Sequence, residues 1–145
     1  CEVPEGEYLI PFGQARTVVA GSDITIVAMS RMVVIAEQAA AQLKEKGISA
    51  AVIDLRTLSP LDEGAVLESL AKTGRLVVVD ESNPYCSMAS EIAGLAVERG
   101  FDTLDAPVRR VTAPHTPVPA TPCLETEYVP NAAKVIAAVE ETLAY

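Results

Sequence analysis

The chain has 145 residues, 50% hydrophobic, 21% charged and 4% aromatic, enough apolar material for one compact domain with a substantial core and too little length for a second. Twenty acidic residues against 11 basic ones give a formal charge of −9, and a surface of that sign repels phosphate backbones and anionic membranes, which argues against nucleic acid as a partner. Cys1, Cys86 and Cys123 form no CxxC pair, and with one histidine they cannot build a standard zinc site; cysteine use of this kind suits a reducing cytoplasm. The longest apolar stretches, such as 50–53 and 135–139, fall far short of the roughly 20 residues that span a bilayer. Acidic residues occupy the N-terminal stretch where a signal peptide would be basic. The opening at Cys1, without an initiator Met, reads as a piece of a longer chain.

In chain order, residues 1–14 carry Pro4, Pro11 and Gly13 and read as a linker, followed by a possible edge strand at Arg16 to Ala20. The turn Gly21-Ser22-Asp23 precedes a β-branched run from Ile24 to Met29, which predicts a buried strand. Ser30 is the expected cap of a helix over 31–46, where Val33, Ala36, Ala40 and Leu43 share one stripe, and Gly47 ends it. The unit repeats: strand 50–54, helix 62–72, strand 76–80, helix 88–99, then strand 108–111 and a closing helix 132–143 capped by Asn131. Runs such as Leu76-Val77-Val78-Val79 are apolar on both faces, as parallel strands covered by helices must be. A three-layer α/β/α domain over 15–145 follows. Five prolines between 112 and 130 predict an extended loop along the surface.

The glycines lie at 6, 13, 21, 47, 64, 74, 94 and 100, with no two closer than six residues. A GxGxxG turn, a GxxxxGK phosphate loop and a GxSxG elbow all need closer glycines, so none is present. His115, in Ala113-Pro114-His115-Thr116-Pro117, could serve as a general base or as a surface contact. Cys86 precedes a helix start, where the dipole favours thiolate, yet a small buried cysteine packing that start is the expected role. Asp54 and Asp80-Glu81 fall at strand C-terminal ends, the edge where open α/β sheets bind ligands, and capping or loop hydrogen bonding is their ordinary use.

The phrases Tyr8-Leu9-Ile10-Pro11-Phe12-Gly13-Gln14-Ala15, Gly21-Ser22-Asp23-Ile24-Thr25-Ile26-Val27 and Val52-Ile53-Asp54-Leu55-Arg56-Thr57-Leu58-Ser59-Pro60-Leu61-Asp62 resemble the C-terminal domain of the β subunit (E1 beta) of thiamine-diphosphate-dependent 2-oxo acid dehydrogenases, the transketolase C-terminal domain. The resemblance runs almost end to end. Val79-Asp80-Glu81-Ser82-Asn83-Pro84, Cys86-Ser87 and Thr112-Ala113-Pro114-His115-Thr116-Pro117-Val118-Pro119 look most like the acetoin dehydrogenase branch, with the pyruvate and branched-chain 2-oxo acid enzymes as alternatives.

This resemblance implies a mixed, mostly parallel five-stranded sheet whose first strand is antiparallel. It implies a heterotetramer of two α and two β subunits, with thiamine diphosphate and Mg²⁺ held between the α subunit (E1 alpha) and the N-terminal domain of β. No catalytic, cofactor-binding or metal-binding residue of the family maps onto this chain. The implied role is assembly: contacts with a second β subunit and with the subunit-binding domain of the acyltransferase (E2). In bacterial relatives that docking uses carboxylates near the late strand and an aromatic C-terminal position, which Asp105 and Tyr145 with its carboxylate match, whereas Arg109 falls where an acidic residue can stand. The reading of another class is a small free-standing enzyme using Cys86 or His115.

Overall fold

The computed structural model describes residues 5–145, so Cys1 and the first part of the expected linker lie outside the described residues. Five strands form one sheet in the order β1-β3-β2-β4-β5: β1 Arg16–Val19, β2 Ile24–Ala28, β3 Ala50–Asp54, β4 Leu76–Val79 and β5 Arg109–Val111. β1 runs antiparallel to β3, and β2, β3, β4 and β5 pair in parallel. The mixed sheet and its antiparallel first strand are as expected.

Side chains alternate across the pleat, and each strand therefore feeds two cores. Ile24, Ile26, Val52, Val77 and Val79 pack under α1 (Arg31–Glu45) and α5 (Ala132–Leu143). Val27, Ile53, Leu76 and Val78 pack under α2 (Glu63–Thr73) and α3 (Met88–Gly100). The expected α1 stripe of Val33, Ala36, Ala40 and Leu43 is buried. Asp62 caps α2 by accepting from the Ala65 amide at 3.1 Å, and Asn131 caps α5 by accepting from that of Lys134 at 3.0 Å; each satisfies an amide the helix leaves unpaired.

Three expectations are corrected. Ser30 does not cap α1: its side chain makes no capping hydrogen bond and its backbone turns through φ 52°, because the chain must reverse sharply from β2 into the helix. The proline-rich stretch is not extended throughout, since Pro122–Tyr128 forms a short helix, α4. Pro122 sits in its first turn, where a missing N–H removes no helical bond. Cys86 is not buried; it is exposed and adopts φ 50°, turning the chain outward ahead of Ser87, whose side chain accepts from the Ser90 amide.

The linker is pinned where it meets the domain. The Gly13 amide donates to Thr57 Oγ1 at 2.9 Å and the Ala15 amide to Asp62 Oδ2 at 2.8 Å. Between β2 and α2, three buried hydroxyls close on one another: Thr25 Oγ1 lies 2.7 Å from Ser69 Oγ and 2.8 Å from Thr73 Oγ1. Buried hydroxyls are tolerated when each finds a partner, and this trio locks the N-terminal end of β2 to the C-terminal end of α2.

Candidate partner interface

The edge where α/β sheets usually take ligands is used here for folding. Asp80, 4% exposed at the end of β4, accepts from the Ser82 amide at 2.9 Å and the Ala89 amide at 3.2 Å. Asp54 accepts from the Arg56 amide at 3.0 Å. Both therefore have the ordinary loop-bonding role. Beside them, Ile10, Phe12, Met29 and Leu58 line an open apolar recess of about 530 Å³, with Phe12 86% exposed.

His115 and Cys86 are not joined by a hydrogen bond among the described residues. The His115 ring meets Tyr85 edge-on, 4.7 Å between centroids, which is a surface contact of aromatic rings. A nucleophile needs a base in reach and a base needs an orienting group; the hydrogen bonds among the described residues include none made by the imidazole of His115 or the thiol of Cys86. Cys86→Ala should shift stability by no more than about 0.5 kcal/mol, as expected for an exposed side chain, and leave turnover of the parent enzyme at wild-type level. A collapse of turnover with an unchanged urea midpoint would return the nucleophile to consideration.

Among the described residues no group of three His, Cys, Asp or Glu side chains stands close enough to hold a metal ion. The described residues therefore offer no carboxylate cluster for the Mg²⁺ that the resemblance implies for the parent.

Asp105 and Tyr145 come together. They line one open groove of about 470 Å³ with Val97, Phe101, Leu104 and Val108. Helix α3 supplies Val97, a 3-10 turn at Phe101–Thr103 supplies Phe101, and the run into β5 supplies Asp105 and Val108. Phe101 and Tyr145 are 69% and 80% exposed. A large aromatic pair in the open beside a carboxylate is the composition of an interface core with a charged rim. Asp105 is held by its backbone, whose amide donates to Gly74 O at 2.7 Å.

Arg109 does not join this groove. It lies on β5, at the sheet edge, with its guanidinium 3.7 Å from Glu141 of α5. Arg110 is drawn the other way, donating to Pro84 O at 2.8 Å and to Ser90 Oγ at 2.6 Å. Adjacent arginines on a three-residue strand also keep that edge from pairing with another sheet. Val97 and Phe101 were missed from sequence; their one signal is apolar character beyond the α3 stripe of Ala89, Ile92 and Ala96.

The architecture and the groove together describe a small α/β module with an open, partly apolar groove at one end of its sheet. The family described as the transketolase, C-terminal domain, matches residues 13–135, and the chain belongs to that family. It is 52% identical over 142 residues to the acetoin:2,6-dichlorophenolindophenol oxidoreductase subunit beta of Bacillus subtilis, covering 98% of this chain and 42% of the relative. Identity to the protein of the same description in Cupriavidus necator is 51%, with the same coverage. A pyruvate dehydrogenase E1 component subunit beta from Rhizobium meliloti is 41% identical, covering 96% of this chain and 30% of that one. Among solved structures, a protein described as split gene transketolase, inactive beta4 tetramer, superposes with a TM-score of 0.86 at 30% identity, covering 99% of this chain and 46% of its own. The chain thus spans less than half the length of these relatives.

Proposed function

We propose that this chain is the C-terminal assembly domain of the β subunit of an acetoin dehydrogenase-type complex, and that thiamine diphosphate chemistry takes place in other parts of the parent enzyme. The observation that carries the reading is the identity of 51 to 52% to acetoin oxidoreductase β subunits against 41% to a pyruvate dehydrogenase one, over nearly the same residues. Within that role, Asp105, with Tyr145 beside it, docks a basic surface of the acyltransferase's subunit-binding domain. The apolar recess at Ile10, Phe12 and Leu58 meets the α subunit or a second β subunit. Arg109, held by Glu141, tunes the rim of the docking face. The −9 charge of the chain favours encounter with a basic partner.

The test uses the complete α/β enzyme. It should turn over acetoin in preference to pyruvate and branched-chain 2-oxo acids, and a preference for either of the others would overturn the substrate assignment. Asp105→Ala should weaken binding to the acyltransferase's subunit-binding domain by roughly thirtyfold if the pair is desolvated, and far less if it remains on the rim. Activity with an artificial electron acceptor should stay unchanged, since no residue of this groove meets the substrate in the proposed arrangement. Surface plasmon resonance that finds equal affinities would place docking elsewhere.

A further inference from the structure

Arg75 stands out among the described residues because its Nε is buried without a hydrogen-bond partner. A native polar atom in that state calls for an explanation. Arg75 follows Gly74, the left-handed cap of α2, and leads into β4. Its backbone is fixed from below: the carbonyl accepts from the Thr25 amide at 2.9 Å and from Thr73 Oγ1 at 3.1 Å, so the buried hydroxyl trio holds it in place. Its side chain runs toward the docking groove, with a terminal guanidinium nitrogen 3.8 Å from Asp105 Oδ2.

The two charges sit at different depths. The Asp105 side chain is 64% exposed and that of Arg75 only 29%, and of the two only Asp105 lines the groove. The backbone at Asp105 is anchored apart from the ion pair, its amide being bonded to Gly74 O. Its carboxylate occupies the space that a side chain on Gly74 would fill, with Oδ2 2.1 Å from the ideal Cβ position. That site lies at the C-terminus of α2, where the helix dipole disfavours negative charge. A recessed cation there offsets the dipole while leaving the outer face acidic.

We infer that Arg75 is an internal counter-charge for the docking carboxylate, a residue that sets the affinity of the groove for a basic partner and keeps docking reversible. This rests on the proposed docking role of Asp105. With the groove empty, Arg75 neutralises Asp105. With a lysine or arginine of the acyltransferase's subunit-binding domain in place, the same guanidinium repels it across the carboxylate and limits the gain.

The experiment takes the complete α/β enzyme and the recombinant subunit-binding domain as the probe, with affinity followed over a range of salt. Arg75→Met keeps the aliphatic stem and removes the charge. Binding should tighten by about three- to tenfold at low salt, the effect of deleting one repelling unit charge several ångströms away in a largely aqueous setting. The tightening should shrink as salt rises, and Arg75→Lys should restore wild-type affinity. Asp105→Asn should weaken binding. If Arg75→Met binds equally or more weakly while Asp105→Asn weakens binding, docking stands and the counter-charge role is overturned, Arg75 then being a support for the carboxylate. If Asp105→Asn leaves affinity unchanged, the docking role falls and this inference with it. Should Arg75→Met fold poorly, Arg75→Gln carries the same expectation with a side chain that can still hydrogen-bond.

Discussion

Gly21→Ala should destabilise the domain by about 3 kcal/mol or more, beyond the usual range for a one-carbon addition, because nothing near the site can yield. A Cβ there would lie 2.2 Å from both the Ala50 carbonyl carbon and the Ala51 amide nitrogen, backbone atoms of a strand buried in the sheet. The turn cannot lift away either. The amides of Ser22 and Asp23 donate to Ser49 O at 3.0 and 2.9 Å, and Asp23 Oδ2 accepts from the Ser49 amide at 2.7 Å. Relieving the clash therefore breaks the bonds that set β2 against β3. Gly94→Ala provides the contrast: apart from its chain neighbours and the backbone of its own helix, no atom lies within 4 Å of its would-be Cβ, it is inside α3, and alanine there should raise stability by about 0.5 to 1 kcal/mol. Urea midpoints of the wild type and both variants check the pair, and a Gly21→Ala midpoint close to wild type would show that the turn has room the packing denies.

Asp80→Ala is expected to lower stability by about 2 to 4 kcal/mol, the scale for removing a buried, charged acceptor and leaving two amides unpaired. The carboxylate joins the loop after β4 to the first turn of α3 through Ser82 and Ala89, where the helix dipole also favours negative charge. Asp80→Asn keeps one acceptor and should lose about half as much. The consequence reaches the groove proposed for docking, since α3 carries Val97 and leads into Phe101. Hydrogen exchange at Ser82 and Ala89 should accelerate more than at Val78, and the proposed acyltransferase contact should weaken in parallel. Unchanged exchange at those two amides would mean that solvent replaces the carboxylate without loss.

The alternation of strands and helices was legible because each element carries its own signal. The β-branched runs at 24–27 and 76–79, the 3.6-residue stripe of α1 and the Asn131 cap depend on local chemistry, and they occur where the sequence places them. The family phrases were equally local. Ser30 and Cys86 were misread for one shared reason: both sit at strand-to-helix reversals where the path of the chain overrides the side chain's usual preference, and each takes a positive φ. α4 was hidden because prolines mark a loop as readily as a helix start, and Pro122 is in the first turn.

The groove proposed for docking belongs to a different level. Asp105 and Tyr145 could be singled out by resemblance, but 40 positions separate them, and only the packing of α5 beside β5 brings them to one groove. The same packing turned Arg109 out of that groove and onto Glu141. Arg75 had no sequence signal at all, since its meeting with Asp105 follows from β4 and β5 lying side by side in parallel. Local elements are determined by near neighbours along the chain, through sterics, periodicity and caps. A groove assembled from a helix, a turn, a strand approach and a distant terminal segment depends on which hydrophobic faces find each other, and that choice is made by the tertiary fold.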